Sequence, residues 1–159
     1  KLDSINFSKC INRYRGLAHR LEFVYENEKY LFINNSKATN VESSINSIKI
    51  YENIFLILGG KVKDNNFFKF NNVKRRISKC FIIGESTELI FNKVSKYFIC
   101  HKSYTIKKAI DKIFTETKKN KTKITVLLAP ACASFDQYDN FADRGNDFKK
   151  IIINKINKK

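Results

Sequence analysis

Three apolar runs constrain the fold of this chain more than any other feature. They read NIFLILGG (53–60), KCFIIGES (79–86) and KITVLLAP (123–130), each with an apolar centre, broken only by Thr125 in the third, that stops at glycine, proline or small residues. A strand with one wet face alternates apolar with polar residues, whereas a strand covered on both faces stays apolar throughout, as in a parallel sheet. Parallel strands need crossovers, and helical spacing lies between the runs. Val41, Ile45 and Ile48 share one face, STELIFNKVSKY (86–97) follows the second run, and Ile106, Ile110, Ile113 and Phe114 line a third helix. LEFVYE (21–26) and KYLFIN (29–34), joined by a tight polar turn at Asn27 and Glu28, predict a hairpin that adds an antiparallel edge. YFICH (97–101) reads as a short strand, and a long terminal helix is expected from Gln137 onward. The pattern is α/β: a Rossmann-like, mostly parallel sheet of about six strands with helices on both faces.

A chain of 159 residues with 43% hydrophobic content is long enough for one cored domain and too apolar for disorder. No stretch approaches the roughly 20 apolar residues of a membrane helix, so no membrane partner is expected. The sequence contains no methionine, and it reads as a piece of a longer protein. Residues 1–15 are taken as the end of a preceding domain or linker, and 16–159 as the domain itself. The formal charge of +16 raises the question of nucleic acid, but the lysines are scattered among many asparagines and isoleucines rather than gathered in a stripe. No nucleic-acid partner is expected. Four cysteines without a C-x-x-C pair or a zinc spacing, and two histidines that belong to no such pair, fit a reduced, cytoplasmic protein with no metal site.

In a sheet of this kind ligands lie beyond the carboxyl ends of the strands. Those ends carry NNSKATN (34–40), GGKVK (59–63) and PACASFDQYDNF (130–141). Thr39 with Glu42 and Ser134 with Gln137 match the capping-box spacing and predict two helix starts. Two helix N-termini, two hydroxyls, Lys37 and Lys63 facing one crevice suit a small carboxylate or phosphate ligand. GGKVK lacks the spacing and the hydroxyl of a triphosphate-binding loop. Cys132 reads as packing rather than a nucleophile, and no catalytic residue is assigned. Phe135 and Phe148 read as core. Asp136, Asp139 and Asp143 read as acids at a helix start rather than a metal cluster, and Arg144 with Gly145 as residues that pin that helix.

The blocks GLAHR (16–20), NNSKATN, GGKVK and PACASFDQYDNFADRGNDF (130–148) resemble the C-terminal domain of the Mur ligase family, and specifically its D-glutamate-adding branch. The resemblance covers about Gly16 to Phe148. It implies an ATP-dependent amide-forming enzyme of peptidoglycan synthesis that joins D-glutamate to UDP-N-acetylmuramoyl-L-alanine through an acyl phosphate. It further implies N-terminal and central domains as partners, ATP and Mg2+ held mainly by the central domain, a monomer, and an inactive isolated fragment. By motif position, Thr39, Lys63, Ser134 and Phe141 correspond to D-glutamate contacts, and Arg20, Asn35 and Lys37 to the nucleotide side. The family usually has aspartate where Asn35 stands and proline where Ala18 stands. A stand-alone, non-catalytic Rossmann-like module that binds an anion or amino acid is the alternative.

Overall fold

The computed structural model describes residues 16–120 and 122–157, so the reading of residues 1–15 lies outside the described residues. Six strands form one sheet: β1 (Glu22–Glu26), β2 (Tyr30–Asn34), β3 (Ile54–Gly59), β4 (Ile77–Ile83), β5 (Ile99–Tyr104) and β6 (Ile124–Leu128). Their spatial order is β1-β2-β6-β3-β4-β5. Only the β1/β2 pair is antiparallel; every other neighbour pair is parallel, as the sequence led one to expect. The hairpin turn closes where the Asn27 N–H reaches the Tyr30 carbonyl at 2.9 Å.

The apolar runs are buried on both faces because their side chains alternate between two cores. Ile54, Leu56, Leu58, Cys80, Ile82 and Leu127 point to one core, whereas Phe55, Ile57, Phe81, Ile83, Val126 and Leu128 point to the other. Helix α1 (Val41–Ile48) covers the first face with Val41, Ile45 and Ile48, joined by Ile90 and Val94 of α2 (Thr87–Val94). Helices α3 (Ile106–Glu116) and α4 (Phe141–Ile156) cover the second with Ile106, Ile110, Ile113, Phe148 and Ile152. Burying each of these side chains is worth about 1.5–3 kcal/mol. A 3-10 segment, Phe67–Arg76, completes the first face with Phe67, Phe70 and Val73. Sequence periodicity had not announced it.

Both helix starts differ from expectation by a few residues. At α1 the cap is Asn40, whose Oδ1 accepts the Ser43 N–H at 2.8 Å, one residue beyond Thr39. At α4 the cap is Asn140, accepting from Ala142 and Asp143 at 2.8 and 2.9 Å. Ser134 instead heads a turn, its carbonyl accepting the Gln137 and Tyr138 N–H groups. Asparagine caps as well as serine and better than threonine, so the local chemistry favours the observed choice, and both hydroxyls are released from capping. Asn40→Ala should therefore lower stability by about 1 kcal/mol, whereas Thr39→Ala should stay within about 0.5 kcal/mol of the parent. Urea unfolding of the two variants checks this; equal losses would restore Thr39 as the cap.

Candidate functional site

The chain order and the sheet order part company at one place. β2 leads through α1 to β3, yet β6 lies between β2 and β3. The loop after β2 therefore turns onto one face of the sheet and the loop after β6 onto the other, which opens a crevice beyond their carboxyl ends. A third loop, from Gly59 to Lys63, closes its side. Lys61 and Ala133 exchange two backbone hydrogen bonds, of 2.9 and 3.1 Å, that bring Lys63 beside Ser134. Gly60 is required there: at φ +131 a Cβ would lie 2.2 Å from the Ala133 carbonyl oxygen.

The crevice holds a cleft of about 280 Å³ lined by Lys37, Thr39, Lys63, Ala133, Ser134, Phe135, Asn140 and Phe141. All four residues expected to contact an amino-acid substrate thus share one cleft, with the N-terminal ends of α1 and α4 beside it. Phe135 is 62% exposed at the rim, not core as its sequence context suggested, and the Lys63 ammonium lies 5.4 Å from its ring centroid. Phe148 is fully buried, as expected. The Lys37 ammonium sits 3.9 Å from the Phe141 ring centroid, and His19 meets the same ring edge-on at 6.0 Å. A cation over an aromatic face is attracted by the ring quadrupole, so Lys37 is aimed rather than free to roam.

Lys37 also lines a second cleft, of about 330 Å³, with Arg20, Leu21, Asn35, Ala38, Ser43, Asn46, Ser47 and Ile50. The three residues assigned to the nucleotide side are therefore together as well. Asn35 is buried and engaged: its Oδ1 accepts the Leu21 N–H at 3.2 Å, and its Nδ2 donates to Ser47 Oγ. His19 and Leu21, on either side of Arg20, take positive φ (62 and 48). That costs on the order of 1 kcal/mol per residue. Their bonds offset it: the Leu21 bond just given, the His19 carbonyl accepting from Lys37 N at 3.0 Å, and the His19 N–H on Glu22 Oε2 at 2.9 Å.

Sequence reasoning placed Arg144 and Gly145 at the helix start as pins, and the contacts show how they act. Arg144, 1% exposed, donates to Ser36 Oγ and O, both at 3.0 Å, and to the Cys132 carbonyl at 3.1 Å. Burial lowers its pKa to about 10, which leaves it charged at neutral pH. A Cβ at Gly145 would lie 2.2 Å from His19 Nδ1, so only glycine lets the His19 loop rest on α4. Cys132 is buried with its thiol pushed up to about 12, chiefly by burial, so it packs and does not attack. Of the three aspartates, only Asp143 lies in the first turn of α4; Asp136 instead accepts the Glu85 N–H at 2.9 Å. Among the described residues no three His, Cys, Asp or Glu side chains converge as a metal site would require.

No protein-family model matches the chain. Whole-sequence comparison does find relatives described as UDP-N-acetylmuramoylalanine–D-glutamate ligase. The protein of that name from the Wolbachia of Brugia malayi is 41% identical over 156 residues, covering 96% of this chain and 30% of the relative. Those from Wolbachia pipientis and Bartonella henselae are 37% and 33% identical, again over 96% of this chain. The chain belongs to this ligase family. It spans about 30% of the length of the curated relatives it matches first.

Burial holds the His19 pKa below its ordinary 6.5, with Lys149 adding to the effect and Glu22 opposing it. Burial does the same to His101, against the pull of Glu116. Both rings are thus more easily protonated in the unfolded chain. Their contribution to stability is complete above about pH 6.5 and is lost as pH falls toward the depressed folded values. Urea midpoints should accordingly drop between about pH 7.5 and 5.5, and less steeply in His19→Gln. A midpoint that is flat over this window would contradict the buried, neutral state of these rings.

Proposed function

We propose that this chain is the acceptor-binding part of an ATP-dependent ligase that joins D-glutamate to UDP-N-acetylmuramoyl-L-alanine, closing over ATP held mainly by other domains. The observation that carries the reading is the first cleft, in which Thr39, Lys63, Ser134 and Phe141 converge at the sheet's switch point. Its volume suits a small molecule, and its donors suit two carboxylates. In this reading the Lys63 ammonium meets one carboxylate. The Thr39 and Ser134 hydroxyls, neither spent on a helix cap, and the Phe141 backbone orient the rest.

Arg20, Asn35 and Lys37 serve the nucleotide in the neighbouring cleft. Arg20 and Lys37 supply charge, and the second lone pair of Asn35 Oδ1 is available to a hydroxyl. Because Lys37 borders both clefts, it stands where the phosphate of the acyl phosphate, leaving as the D-glutamate amine attacks, would need a cation. ATP supplies the phosphoryl group that activates the carboxyl of UDP-N-acetylmuramoyl-L-alanine, and this chain would orient the D-glutamate amine toward that carboxyl carbon. Mg2+ falls to parts of the ligase outside this chain, and the ligase is read as a cytoplasmic monomer.

In a full-length ligase carrying this sequence, Lys63→Ala should raise the KM for D-glutamate about ten- to a hundredfold, the loss of one charge-assisted hydrogen bond. The KM for ATP should change little. Equal increases in both constants would remove Lys63 from the acceptor site. The isolated chain should hydrolyse no ATP above background, because it has no phosphate cradle of its own; turnover by the purified fragment would refute that assignment.

A further inference from the structure

Outside both clefts, the sheet brings two thiols together. Cys80 on β4 and Cys100 on β5 are register partners in a parallel pair. Adjacent strands lie about 4.7–4.9 Å apart, inside the roughly 4.4–6.8 Å Cα separation that a disulfide spans. Both side chains lie on the same face: Cys80 belongs to the first core, and Cys100 packs against that core from its margin. The two differ in access. Cys80 is fully buried, while Cys100 is half-buried on β5, the edge strand, with its Sγ–H donating to the Phe98 carbonyl at 3.4 Å. No role in the proposed ligase site touches either residue.

We propose that Cys80 and Cys100, held opposite one another on β4 and β5, form a vicinal dithiol that hydroperoxides convert into a cross-strand disulfide. Cys100, the accessible sulfur, attacks as its thiolate: an S–O bond forms, the O–O bond breaks, and the leaving alkoxide or hydroxide takes up a proton. Cys80 then attacks the resulting sulfenic acid, forming the S–S bond, breaking S–O and releasing water with the Cys80 proton. Two thiols are oxidised by two electrons and one peroxide is reduced to alcohol (or water) and water. Burial and hydrogen bonding with Cys100 hold the Cys80 thiol well above its ordinary pKa, which suits it to the resolving role and not to the first attack. The bridge would tie down an edge strand whose far end meets the functional loop. The Tyr104 carbonyl accepts from Gly84 N at 2.8 Å and from Gln137 Nε2 at 3.0 Å.

The test uses the full 159-residue chain, both as it is and as a Cys10→Ser, Cys132→Ala variant that keeps only the pair. Each is reduced, exposed to hydrogen peroxide under native conditions, and read by intact mass and peptide mapping. The expected result is a loss of two hydrogens, one cross-linked peptide joining Cys80 to Cys100, and full reversal by dithiothreitol. In Cys80→Ala the same treatment should leave Cys100 as a sulfenic acid trapped by dimedone, with no bridge. Oxygen addition at Cys100 while Cys80 remains a free thiol would overturn the proposal. A bridge that forms in urea but not in the folded chain would overturn it too.

Discussion

The loops that build the site are held by one buried charge. Where strands end, backbone carbonyls lose their ladder partners and must find donors elsewhere. At this rim the donor is the Arg144 guanidinium, which reaches the loop after β2 through Ser36 and the loop after β6 through Cys132. Ser36 relays the connection, its hydroxyl donating to the Phe141 carbonyl at 2.8 Å, so the first residue of α4 is fixed by the same unit. Only arginine offers five donors in a rigid plane. Taking the charge out of water costs several kcal/mol, and among the described residues no carboxylate forms an ion pair with it. The return is spread over three hydrogen bonds and two otherwise unsatisfied loops. Its Nη1 has no partner; the guanidinium is positioned for the loops and not for its own satisfaction.

Once these loops are fixed, the function of the rim follows from topology. A sheet that grew outward strand by strand in one direction would, with right-handed crossovers, keep its helices on one face and leave no gap between neighbouring loops. Inserting β6 between β2 and β3 places two helix N-termini, those of α1 and α4, on opposite sides of one opening. Unpaired N–H groups and their partial positive charge then converge from both layers. Lys37 and Lys63 add full charges, each near an aromatic ring, Phe141 and Phe135, that narrows where the ammonium can go. The site therefore depends on the sheet order for its shape and on two short loops for its charge.

The parallel core was legible because burial on both faces writes itself into sequence as near-continuous apolar runs, as at Ile54–Gly59 and Ile124–Leu128. That the candidate residues share one rim was legible for a different reason: small and polar residues clustered at the strand ends, and the family blocks fell on the same positions. What failed was local. Thr39–Glu42 and Ser134–Gln137 satisfy a capping pattern, but Asn40 and Asn140 stand close by and accept the same kind of bond. A pattern of spacing cannot rank Thr39 against the adjacent Asn40, nor see that the turn headed by Ser134 closes before α4 is capped six residues later at Asn140. The 3-10 segment went unseen because Phe67, Phe70 and Val73 repeat every three residues within a polar stretch. Phe135 was misplaced because an aromatic between Ser134 and Asp136 carries no periodic neighbours to say which way it faces. The link from Asp136 to Glu85 N joins residues 51 apart in sequence, beyond any local signal.

Asn35 shows how a departure from a family pattern acquires physical meaning only through its partners. Read alone, amide in place of carboxylate is a weaker acceptor facing a ligand. In the structure the amide is a two-way connector: Oδ1 takes the Leu21 N–H, and Nδ2 gives to Ser47 Oγ, whose own proton goes to the Ser43 carbonyl at 2.7 Å. A carboxylate would keep the first bond and strengthen it, but it has no proton to give Ser47. The Ser47 hydroxyl would then have to choose between the carboxylate and the Ser43 carbonyl. Asparagine thus trades charge on the cleft wall for a closed chain of bonds from the Arg20 loop to α1. Leu21, one of the two strained residues beside Arg20, is anchored by that same chain. An amide at this position is therefore a gain in how firmly the wall of the second cleft is held.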